Sequence, residues 1–257
     1  MIPLIPWYIT AAVLATSLVI GFAVWGLLAA AAERSGLPPA DRRQVRVAVG
    51  LSLAIWLGAA LLLAPAPASV QGRDSFLITP LVPLFAAAAG GVVLLALALS
   101  RPFRRVLAAV SLPALNAVQA YRVLGVMFVI LLAQGQLPAH FALPAGWGDI
   151  AIGLTAPLVA LALARGAAGA VPLAIAWNVL GILDLGVAVG MGTGLLAPFL
   201  APELGTRVPP AAAMGVFPMI LVPLFAVPVS LLLHLLALGR LLRRERLGAR
   251  LVPRPAR

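Results

Sequence analysis

The chain has 257 residues, 63% of them hydrophobic and only 10% charged, and its 18 basic side chains outweigh 7 acidic ones to give a formal net charge of +11. So few polar residues cannot cover a water-soluble domain of this length. Apolar runs of about 20 residues recur instead, each able to cross a ~30 Å hydrocarbon core as a helix. The runs do not alternate as barrel strands would, so the expected class is an all-α integral membrane protein. The lack of cysteine removes disulfides, thiolate metal sites and thiol catalysis.

Taken in chain order, the hydropathy predicts seven spans, at residues 7–31, 47–66, 77–99, 115–135, 143–164, 172–194 and 214–238. The start, MIPLIPWYIT, has no basic n-region and leads into an apolar run too long for an h-region, so no cleavable signal peptide is expected. Spans one to three hold little beyond Ala, Leu, Val and Gly and read as scaffold. RPFRRVLAAVSLP, before span four, reads either as a short amphipathic helix on the membrane surface or as an extension of span four kinked at Pro113. The Pro- and Gly-rich GQLPAHFALPAGWGD reads as an ordinary outer loop that ends with Trp147 at the interface. Spans four to seven read as a polar functional bundle, followed by a basic tail at 239–257.

All 18 basic residues are arginines, and their placement explains the charge. Under seven spans, Arg34, Arg42, Arg43, Arg46, Arg101, Arg104, Arg105, Arg165 and the tail arginines from Arg240 to Arg257 share one side. Only Arg73 and Arg207 lie on the other, and Arg122 sits inside a span. Arginine-rich connections stay in the cytoplasm, so the N-terminus is expected outside and the C-terminus inside, in a bacterial-type inner membrane. The high charge therefore does not call for nucleic acid. The expected partners are the bilayer, anionic lipid at the tail, and other membrane proteins or further copies of the chain.

A lone charge at the centre of a span costs roughly 2.5–3.5 kcal/mol on insertion scales and should turn inward and find a partner. Asp184 falls within ~2 Å of the middle of span six, Arg122 ~5 Å to the cytoplasmic side of the middle of span four, and Asn178 ~8 Å below the midplane. The expectation is that Asp184 and Asn178 hold Arg122, whose planar fork binds a carboxylate and still donates to an amide. Asp149 lies ~7 Å outside the midplane with no basic neighbour on its own helix, and reads either as a wet or protonated carboxylate on an ion path or as an Asp at a helix start. His234 is expected toward the inner end of span seven, one turn beyond Ser230. Gln119 and Tyr121 complete the polar set. Pro218, Pro223 and Pro228 suggest a broken helix with carbonyls freed toward a cavity. Gly186 and Gly190 form a GxxxG step suited to close helix packing.

No cofactor is predicted. Retinal needs a lysine, and a bis-histidine haem needs two intramembrane histidines, whereas His140 and His234 fall on opposite sides. Convergence of His140, Asp149 and Glu203 on a metal has no spacing signature. The leading expectation is a small-substrate or proton-linked transporter using Arg122, Asp149, Asn178, Asp184 and His234. The alternatives are a non-catalytic binding or assembly subunit whose polar cluster is a clamp, and a lipid-modifying enzyme with Asp149 or Asp184 as base.

Overall fold

The computed structural model describes residues 5–64, 81–196, 199 and 211–251, with side chains described except at 81–86 and 245–251. Among them the chain is helical, with no strand. The helices are α1 (Trp7–Arg34), α2 (Pro39–Leu62), α3 (Leu81–Leu99), α4 (Arg101–Ala109), α5 (Leu112–Ala117), a 3-10 stretch (Val118–Gly125), α6 (Val126–Ala133), α7 (Ala139–Ala164), α8 (Ala170–Gly192), a π-helical turn (Val222–Ala226) and α9 (Val227–Leu251). Six stretches are long and apolar enough to cross a membrane: α1, α2, Leu112–Ala133, α7, α8 and Val222–Arg244. The predicted third crossing begins outside the described residues; its described helix, α3, contributes the shorter apolar stretch Ala87–Leu99.

Several boundaries move from their predicted places. α2 begins at Pro39 rather than at 47 because Arg42, Arg43 and Arg46 ride on its first turns, with Glu33 of α1 pairing Arg42 and Arg46. The expected outer loop with Trp147 is mostly helix. Pro138 precedes the first turn of α7, and Phe141, Ala142 and Ala145 bury one face behind it. A helical period was masked there by Pro144 and the glycines, and Trp147 is left 58% exposed. The last crossing starts about eight residues late, since Ala212–Gly215 is a short 3-10 turn and the helical path resumes only at Val222. In the arginine-rich segment 101–113, α4 is a separate amphipathic helix and not an extension of span four. α4 ends at Val110 in extended backbone, and Ser111 caps the new helix by accepting from the Ala114 N–H at 3.4 Å. The break therefore precedes Pro113.

Close packing sets the site's dimensions. The 3-10 stretch lies against α7 with almost no side chain between them. A Cβ on Gly153 would overlap the backbone of Val123, and one on Gly125 would overlap the Asp149 side chain and come within 3.0 Å of the Gly146 carbonyl. Interfaces of small residues let membrane helices approach this closely. The GxxxG step does not serve that purpose here: Gly186 faces open space and Gly190 faces Leu196, just beyond the end of its own helix. Of the three prolines near the last crossing, Pro228 acts differently from expectation. Pro228 cannot donate to the Leu224 carbonyl, and the Trp56 indole N–H donates to it instead at 2.9 Å, so that carbonyl faces no cavity.

Candidate functional site: a buried arginine between two carboxylates

Arg122 stands at the middle of Leu112–Ala133, and only 2% of its side chain is exposed. A 3-10 backbone rises about 2.0 Å per residue and aligns positions i and i+3, so Gln119 and Arg122 share a face there. Asp149 lies roughly 4 Å from the middle of α7 toward its start, and Asp184 roughly 4.5 Å from the middle of α8 toward its end. The two helices run antiparallel, so both carboxylates come to one level beside the guanidinium.

Every nitrogen of Arg122 has a partner. Its Nε donates to Asp149 Oδ1 at 2.6 Å, and its Nη2 donates to Asp184 Oδ2. Nε and Nη2 form one edge of the planar group, the fork that normally grips a single carboxylate. Here two carboxylates sit side by side on that edge. Nη1 points the other way, to His234 Nε2 at 3.2 Å.

That last contact fixes a chain of hydrogen bonds. A guanidinium can only donate, so His234 Nε2 accepts and its proton lies on Nδ1. Nδ1 then donates to Asn178 Oδ1 at 2.9 Å. The Asn178 amide nitrogen donates to Asn116 Oδ1 at 2.8 Å and to the Ala174 carbonyl at 2.7 Å, and Asn116 donates to the Leu112 carbonyl at 2.8 Å. Each link needs the direction set by the one before it, and His234, Asn178 and Asn116 are all buried. Trp177 stacks at a tilt on the His234 ring, 5.3 Å between centroids, and donates its own N–H to Thr155 at 2.8 Å. Above the histidine, Gln119 and Ser230 form a closed pair: Ser230 Oγ donates to Gln119 Oε1 at 2.6 Å, and Gln119 donates to the Ser230 carbonyl at 3.0 Å.

Two glycines make room for this arrangement. A Cβ on Gly148 would overlap the Asp184 carboxylate, and one on Gly181 would overlap the His234 ring. GWGD and GILD, alike in sequence, each contribute one of these gaps and one of the carboxylates.

The site is charged unequally. Arg122 supplies one positive charge, the two ionised carboxylates would supply two negative ones, and His234 is neutral in the tautomer above. Asp149 Oδ2 and Asp184 Oδ1 accept no hydrogen bond among the described residues. Two cavities of about 40 and 50 Å³ flank Asp149, the second also bordered by Arg122, Tyr121 and Thr16. Each exceeds the ~10–15 Å³ needed for a water molecule. The first extends toward Gly192, Thr193 and Met214, at the end of the bundle away from α4.

The structure thus joins Arg122, Asp184, Asn178, Asp149 and His234 in one network, with corrections to the expected pairing. Asn178 reaches Arg122 only through His234. Asp149, expected apart, is a direct partner of Arg122, because α7 starts earlier and the span around Arg122 is centred lower than hydropathy placed them. His234 is at the middle of its crossing rather than near its inner end. Tyr121 donates to the Ala226 carbonyl at 3.4 Å and borders a cavity. His140 lies nine positions before Asp149 at the far end of α7, its buried Nε2 without a partner among the described residues, and Trp147 faces outward; neither joins the network. Glu203 lies outside the described residues, and no three His, Asp or Glu side chains among the described ones converge to hold a metal ion. Asn116 went unnoticed in the sequence, although Asn116, Gln119 and Arg122 recur at intervals of three.

A family model described as a domain of unknown function (DUF8737) matches residues 79–242, well over half of the chain and all of the hydrogen-bonded network. No curated protein and no solved structure matches.

Proposed function

The chain belongs to the DUF8737 family, whose matched residues hold the whole polar network, and we propose that it is a multi-pass inner-membrane protein working as a proton-linked transporter of a small substrate. It crosses the membrane seven times, with α3 in the third crossing, the N-terminus outside and the arginine-rich ends in the cytoplasm. α1 to α3 act as scaffold and the later helices as the working bundle.

One observation carries this reading: a single guanidinium edge is shared by two carboxylates beside water-sized cavities. Two like charges so close in low dielectric do not both ionise readily. The pair therefore holds one exchangeable proton, on Asp149 Oδ2 or Asp184 Oδ1, and the cavity toward Gly192 is its outer access. On the inner side the neutral chain from His234 to Leu112 blocks passage, so the conformation described is open at most to the outside. Ionisable residues inside a membrane are expensive and typically mark such proton routes.

The test is proton flux into liposomes carrying the full-length protein, driven by an inside-negative potassium diffusion potential and read with an internal pH dye. The expected result is flux above protein-free vesicles, abolished by Asp149→Asn. Wild-type flux equal to that of empty vesicles would remove the proton-linked reading.

The closed hydrogen-bond chain below Arg122 favours a second reading, an assembly subunit in which the network clamps α5–α9. A clamp tolerates an apolar replacement of the whole charged cluster with its partner binding intact; a proton carrier does not. The lipid-enzyme reading has less support, since neither carboxylate lines the two large apolar cavities, of about 390 and 430 Å³.

A further inference from the structure

A cavity of about 390 Å³ lies beneath α4, between α1, α2, α3 and α9. That is within the ~300–1,000 Å³ usual for ligand sites and far larger than the spaces beside Asp149. Its walls are aliphatic and aromatic, with Leu53, Leu94, Leu97 and Phe103 among them. The polar side chains on it are Ser52 and Trp56, and the Trp56 N–H is already committed to the Leu224 carbonyl. Any occupant is therefore apolar along its length.

α4 roofs this cavity with a sharply two-sided helix. Phe103 and Val106 are buried and Leu107 faces the cavity, while Arg101, Arg104 and Arg105 are exposed on the opposite face. Three other arginines at this end of the bundle are already engaged. Arg42 and Arg46 pair with Glu33, and Arg240 donates to the carbonyls of Val110 and Ala108 at the end of α4. Arg101, Arg104 and Arg105 form no ion pair among the described residues. Three unneutralised guanidinium groups thus stand over an acyl-sized apolar space, at the level where a basic amphipathic helix meets lipid headgroups.

We infer that this cavity binds an acyl chain of an anionic phospholipid from the adjoining leaflet, with the headgroup phosphate against Arg101, Arg104 and Arg105. The site is separate from the Arg122 network, so it stands or falls independently of proton transport.

The experiment is native mass spectrometry of the full-length protein in detergent, titrated with dipalmitoyl phosphatidylglycerol, dipalmitoyl phosphatidylcholine and dihexanoyl phosphatidylglycerol. The expected result is one tightly retained dipalmitoyl phosphatidylglycerol, with phosphatidylcholine held roughly tenfold or more weakly, given the contribution of each arginine at an anionic surface. The short-chain lipid should bind more weakly still, a comparison that needs no variant. Replacing Arg101, Arg104 and Arg105 with Gln together should erase the preference between headgroups and leave binding of long chains. Ser52→Phe or Ala98→Leu, each filling the cavity, should abolish the tight site in protein that stays monodisperse. Equal retention of both headgroups, equal retention of both chain lengths, or unchanged binding in a monodisperse filled variant would each overturn the proposal.

Discussion

The two sides of Arg122 are built on opposite rules. Toward the end of the bundle away from α4, its guanidinium edge meets Asp149 and Asp184, each with an oxygen to spare, beside cavities large enough for water. Toward the arginine-rich end, its remaining nitrogen enters a neutral chain through His234, Asn178 and Asn116 in which the direction of each link is fixed. The charged side has protons to gain or lose. The neutral side has none to spare without breaking its directionality. A buried cation can thus be anchored rigidly from one side while the other stays chemically adjustable.

Breaking the anchor should have the largest effect. Arg122→Leu strands two carboxylates in low dielectric, and loss of one partner of a buried ion pair typically costs about 3–5 kcal/mol. Thermal unfolding in detergent should show a correspondingly large drop. Arg122→Leu with Asp184→Leu still leaves Asp149 without a cation, so that double variant should recover only in part. Adding Asp149→Leu should restore most of the stability, since apolar replacement of a whole buried ionic cluster is often neutral or better. Recovery already complete in the double variant would mean that Asp149 is not a true partner.

Steric intrusion on the charged side should come next. Gly148→Ala puts a methyl group where the Asp184 carboxylate lies, and overpacking of this kind costs about 1–3 kcal/mol. The same denaturation assay should detect it, and proton flux should fall with it. On the neutral side, Asn116→Ala removes one acceptor, but the Asn178 amide keeps the Ala174 carbonyl. The expected cost is about 1 kcal/mol, with flux preserved. A larger stability loss from Asn116→Ala than from Gly148→Ala would invert the comparison.

The smallest stability effect should come from Asp149→Asn and Asp184→Asn, which keep an acceptor for Arg122 and remove one of the two carboxyl groups that share the proton. Each should change stability by no more than about 1 kcal/mol while stopping flux. If either destabilised the fold as much as Arg122→Leu, both carboxylates would have to be ionised in the resting state.

Much of this was legible in the sequence. Apolar run length set the helical membrane class, and the cost of a lone buried charge pointed to a partnership of Arg122 with Asp184. The contact of Asp149 was not legible, because its depth depended on helix ends that hydropathy misplaces where proline and glycine interrupt the pattern. The start of α7 inside a Pro- and Gly-rich segment and the late start of the last crossing are both of that kind. The 3-10 stretch that aligns Gln119 with Arg122 has no local sequence mark, since it follows from the close approach of α7 at Gly153. The role of His234 was equally hidden: only the geometry of its two nitrogens distinguishes a relay from an acceptor held by arginine.

The central claim is that Asp149 and Asp184 share one proton on the outer edge of Arg122. Infrared difference spectroscopy of the reconstituted protein at neutral pH reads it directly, through the carbonyl stretch of a protonated carboxylic acid and its shift in heavy water. The account predicts one such band, present in the wild type and missing in both Asp149→Asn and Asp184→Asn. Absence of the band in the wild type, or its survival in both variants, would contradict it.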